Sequence, residues 1–130
     1  MKTALALTRG LLAVCIDARG HEHPDSLTEL GALGALIWRS GRVEEGGKLL
    51  TSAFKALRAV ADDQDLRLAV VAGNHALALV KAGELEQAEY ALELALRRRR
   101  ALAPQTTGIV AAQLGEVRVR LGKLELARDA

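Results

Sequence analysis

Aromatic side chains are nearly missing: the 130-residue chain holds one Phe, one Tyr and one Trp. Proline occurs only twice and cysteine once. A core without aromatics has to be built from Ala and Leu, and with so few prolines this points to helices packed closely on small side chains. Cys15 has no second cysteine to pair with, which excludes an internal disulfide and makes a reducing cytoplasm the expected location. No stretch reaches the ~20 apolar residues of a membrane span, so no membrane contact is expected. The opening "MKTALALTRGLLAVC" imitates a lipoprotein signal. However, Arg9 and Gly10 break its apolar region, and Val14 is larger than the residue such a cleavage site prefers before cysteine. A charge excess is also missing, since 18 basic residues face 16 acidic ones: too weak a bias to argue for nucleic acid by itself, which is not an expected partner.

What the chain does have is an internal repeat. Three stretches align without gaps: "LGALIWRSGRVEEGGKLL" from Leu33, "HALALVKAGELEQAEYAL" from His75 and "LGEVRVRLGKLELARDA" from Leu114. Gly41, Gly83 and Gly122 coincide, at intervals of 42 and 39 residues. Seven residues before each glycine stands a small residue (Gly34, Ala76, Gly115), and five after it another (Gly46, Ala88, Ala127). Physically this is a helical hairpin. Small residues let two antiparallel helices approach, and a left-handed glycine ends the first of them. Acidic residues (Glu44, Glu45, Glu84, Glu86) suit the positive start of the second. One hairpin cannot bury its apolar stripe alone, so neighbours must stack.

The spacing resembles the tetratricopeptide repeat. Its 42-residue interval, longer than the usual ~34, is similar to the kinesin-light-chain-type variant, whose His-Pro-Asp segment before the first helix matches "HPDSLTELGALGALIWRSGRVEEG". The resemblance implies an all-α solenoid of stacked antiparallel hairpins with about six or seven helices. The expected layout is a half repeat over 2–23, then repeats over 24–63, 64–104 and 105–130, the last incomplete. Helices are expected over 2–18, 26–40, 43–60, 66–82, 85–102 and 106–121, with a stub after Gly122. Apolar faces should stay exposed at both ends. Four residues depart from the pattern and are expected to weaken packing: Gly46 with Gly47, His75 in place of a common leucine, and Arg118 where a large apolar residue is usual.

His21, Glu22, His23 and Asp25 crowd two imidazoles and two carboxylates into five residues, as a metal site would. The segment falls between repeats, however. Pro24 suits a loop before a helix, and Asp25 or Ser26 is a good N-cap, with Glu29 completing a capping box. The corresponding connections "ADDQD" and "LAPQT" carry no histidine, and a ligand set would need more than His75 can add. A join is expected, with no metal or other cofactor. The run "RRRR" at 97–100 ends a helix, where cations complement the dipole and pair with Glu89 and Glu93 upstream. His75 is expected to pack on a neighbouring helix and donate one bond. No catalytic constellation is present, because the glycines follow the repeat and make no phosphate loop, so no enzyme is expected.

The resemblance implies that partners lie on a concave face lined by the first helix of each hairpin. Carried onto this chain, that face contains Trp38, Arg39, Asn74, Leu77, Lys81, Gln113, Glu116 and Arg120. Two residues before each turn glycine stands a cation (Arg39, Lys81, Arg120), preceded by an apolar residue. Such a ladder suits a peptide carrying acidic and hydrophobic side chains, although a cation in a last helical turn also simply satisfies the dipole. The expected function is a protein-interaction module binding a protein or peptide. The alternatives are self-association through the terminal helices and a peptide-sensing regulatory domain of a larger signalling or transcription protein.

Overall fold

The computed structural model describes residues 2–62 and 65–129, with side chains over 3–62 and 65–125. Among these the fold is all-α, with six helices: α1 (Lys2–Arg19), α2 (Pro24–Arg39), α3 (Val43–Val60), α4 (Leu66–Ala82), α5 (Leu85–Leu102) and α6 (Thr107–Asp129). A 3₁₀ turn, Pro104–Thr106, leads into α6. The expected repeat boundary at 63–64 lies outside the described residues.

Helices α2 and α3 form one hairpin and α4 and α5 another, each on the turn the spacing predicts. Gly41 has φ +104° and Gly83 φ +81°, both in the left-handed region. In each turn the residue after the glycine donates its N–H back across it: Arg42 to the Ile37 carbonyl at 3.3 Å, Glu84 to that of Leu79 at 2.9 Å. This satisfies carbonyls that a helix end would otherwise leave unpaired. The small residues act as expected at the first hairpin, where a Cβ added to Gly34 would lie 3.0 Å from Leu50 N. Gly46 is no packing defect. A Cβ there would sit 2.4 Å from the backbone nitrogen of Trp38, so only glycine lets α3 cross α2 at this point.

The third turn does not form. α6 runs through Gly122 without a break to Asp129. A Cβ added to Gly115 would meet nothing within 4 Å, so no returning helix presses on it. Without that packing, nothing offsets the helical hydrogen bonds a turn would break, and glycine's helix penalty of about 1 kcal/mol is too small to force one. The side chain of Ala127 lies outside the described residues.

The core lies where α3, α4, α5 and α6 meet. Ala53, Leu57, Leu68, Ala69, Ala72, Ala88 and Ala95 are fully buried, joined from α6 by Val110, Leu114 and Val117. Alanine at so many contact points is what brings the helices together. α1 packs on α2 and, as expected for the ends, leaves Leu7, Leu11 and Val14 exposed; Ile109 and Val119 are exposed on α6.

Candidate functional site

Residues 20–25 are a pinned joint. His23 is the N-cap of α2, its Nδ1 accepting from the Asp25 N–H at 3.1 Å, so α2 starts at Pro24 and the cap is neither Asp25 nor Ser26. Ser26 Oγ instead donates to the Gly20 carbonyl at 2.7 Å. Asp25 pairs with Arg19 of α1 at 3.1 Å and with Arg67 of α4. Arg67 also holds Asp65 through a bidentate contact of 2.8 and 2.9 Å. That guanidinium lowers the Asp65 pKa despite its partial burial, and the Asp65 carboxylate raises that of Arg67. The charges crowded here tie three helices together.

The sequence-predicted site residues divide into two groups. Asn74, Leu77, Gln113, Glu116 and Arg120 meet in one groove between α4 and α6, formed by adjoining cavities of about 500 and 120 Å³. Leu77 and Gln113 line both cavities. Val70, Val80 and Ile109 add apolar surface, with Ile109 76 % exposed. From Val70 to Val80 the groove follows α4 for about 15 Å, enough for roughly five residues of extended peptide.

Trp38, Arg39 and Lys81 stand outside it. Trp38 packs on Ala35, Leu50 and Ala78 and lines a separate cleft between α3 and α4, because Gly46 draws its backbone against α3. Its Nε1 is buried without a partner. Arg39 and Lys81 are exposed in the last turns of their helices, where each complements the dipole. Arg120 is in mid-helix, paired with Glu116 at 2.9 Å. The three cations are therefore not one equivalent ladder.

Arg99 lines the wide end of the groove and was not among the predicted residues. Its Nε is buried and has no partner. Reading 97–100 as one solvated helix end concealed it, and the four arginines in fact diverge. Arg98 donates to the Asp62 carbonyl at 2.6 Å, whereas Arg97 is exposed. Glu89 and Glu93, expected to pair with this run, instead hold Arg118 at 3.2 and 2.7 Å. Arg118 therefore stitches α6 to α5, and those carboxylates raise its pKa.

His75 packs on Phe54 of α3, ring centroids 4.9 Å apart, but donates no bond. It is 6 % exposed, and Nδ1 is buried unpartnered. Burial first, and the Lys55 charge second, lower its pKa to about 4, so the ring is neutral at pH 7. Among the described residues no group of three or more His, Cys, Asp or Glu is placed to hold a metal ion. Nor, among the described residues, is any helix long and apolar enough to cross a membrane. A scan against protein-family models and a search of curated proteins find no match to this chain.

Proposed function

We propose that the chain is a cytoplasmic, tetratricopeptide-like interaction module that binds a short extended peptide carrying acidic and apolar side chains in the α4–α6 groove, without catalysis. The observation that carries the reading is the groove's lining. An apolar floor of Val70, Leu77, Val80 and Ile109 runs beside the amides of Asn74 and Gln113. Amides of this kind can bond an extended backbone, and exposed apolar side chains in a concave site favour apolar anchors. Charge selects the acidic partner. Glu116 neutralises Arg120, which leaves Arg99 as the unbalanced cation of the lining, with an unpartnered Nε. Helices hold the groove before binding, so most of the ordering cost falls on the peptide.

Selection of peptides from a random displayed library on the full chain tests this. Enriched peptides should combine an acidic residue with apolar ones. They should lose at least tenfold in affinity on Leu77→Glu or Arg99→Glu, with helical content preserved. Enrichment of basic peptides, or binding unchanged in both variants, overturns the proposal.

A second reading, self-association, is favoured by the outward stripe of Leu7, Leu11 and Val14 on α1. It predicts a mass that grows with concentration in light scattering and stays monomeric for Leu11→Glu.

A further inference from the structure

Away from the groove, a cleft of about 360 Å³ opens between α3 and α5. Arg58 is fixed beside it. Its guanidinium carbon lies 5.7 Å from the Phe54 ring centroid and 5.6 Å from that of Tyr90, and Nη1 donates to Tyr90 Oη at 2.9 Å. Two arginines that tie helices together, Arg67 and Arg118, each hold two carboxylates. Among the described residues neither Arg58 nor Lys55, three residues earlier on the same helix, has a carboxylate partner. An exposed arginine oriented beside two aromatic rings, with its remaining N–H groups unused, presents a bidentate fork.

We propose that this cleft is a second binding site, for a carboxylate carried on a small aromatic or branched apolar body, with Arg58 as its anchor. Tyr90 Oη accepts from Arg58, so its own proton is left to donate into the cleft. Lys55 supplies a second cation and Gln87 a neutral donor. Glu86 on the lining offsets one cation, so the net charge of +1 matches a monoanionic carboxylate and disfavours a dianionic phosphate. The apolar body meets the exposed ring of Tyr90, since the Phe54 ring is buried and already stacks on neutral His75. Nδ1 of His75 is sealed, so Nε2 is the only ring nitrogen a ligand could meet without the ring moving. The site does not depend on the groove reading, since none of its residues lines the groove.

The experiment is an NMR titration of the ¹⁵N-labelled full chain with benzoate, its neutral isostere benzamide, N-acetylphenylalanine and inorganic phosphate. Benzoate should shift amides of Thr51, Lys55, Gln87 and Tyr90 in a saturable way, at least tenfold more tightly than benzamide. Arg58→Lys keeps the charge but loses the fork and the stacking. It should weaken benzoate at least tenfold while leaving the circular dichroism spectrum unchanged. Tighter binding of N-acetylphenylalanine than of benzoate supports the site and identifies a peptide C-terminus as the source; the reverse order supports it and identifies a free acid. Equal binding of benzoate and benzamide, unchanged affinity in Arg58→Lys, shifts elsewhere only, or phosphate binding tighter than benzoate overturns the assignment.

Discussion

At Gly46 an added Cβ would meet the Trp38 backbone at 2.4 Å, whereas at Gly47 it would meet nothing within 4 Å. Adjacent glycines in one helix therefore do opposite things. Gly46→Ala should destabilise the fold by about 1–3 kcal/mol through overpacking against a backbone that cannot rotate away. Gly47→Ala should stabilise it by about 0.5–1 kcal/mol through helix propensity alone. Urea unfolding of the two variants checks both signs. His75 gives a pH dependence. Its folded pKa of about 4 lies below its ordinary value of 6.5, so between those values the unfolded chain holds a proton the folded chain lacks. Its contribution is fully present above pH 6.5 and disappears as pH falls to 4, a change of about 3 kcal/mol. Lys55 of α3 faces the ring, and Arg58 and Glu86 line the same cleft. His75→Leu should flatten this window, measured as the difference in unfolding free energy between pH 7.5 and 4.5 against the wild type. The sequence pattern marked both Gly46 and His75 as unusual, yet the weakened packing it predicts at Gly46 has the wrong sign. That sign depends on how closely α3 crosses α2, a distance no single position encodes.

Helix boundaries were legible for the three middle helices: 43–60, 66–82 and 85–102 are the observed limits of α3, α4 and α5. The reason is that Gly41 and Gly83 combine a left-handed conformation with a packed return helix, and both halves of that signal lie in the sequence. At Gly122 the same local letters mislead, because a turn needs the packing as well as the glycine. Alanine scanning of the turn positions measures this difference. Gly83→Ala forces φ +81° on a side chain and should cost about 1 kcal/mol or more. Gly122→Ala, inside a continuous helix with open space at its Cβ, should instead stabilise by about 0.5–1 kcal/mol. A loss at Gly122 would mean that α6 turns there after all. The N-cap of α2 was misassigned by two or three residues for a related reason: His23, Asp25 and Ser26 could each cap it, and Pro24 at the first helical position selects His23.

Across the whole molecule, five of the eight predicted groove residues meet on α4 and α6, because both helices keep the repeat's register up to the missing turn. Trp38, Arg39 and Lys81 fall away where local packing or helix ends decide the position. Arg99 and the cleft at Arg58 were invisible in the sequence, since each depends on which carboxylates the neighbouring helices claim first. The molecule thus carries two surfaces of different character, a long apolar groove and a compact aromatic–cationic cleft. Peptide binding in the groove is tested most directly by affinity capture from cell lysate with the full chain, comparing wild type, Leu77→Glu and the stabilised Gly47→Ala. A partner retained by wild type and Gly47→Ala but lost by Leu77→Glu is the predicted result. Capture of the same partner by Leu77→Glu, or recovery of nothing but further copies of the chain, would contradict it.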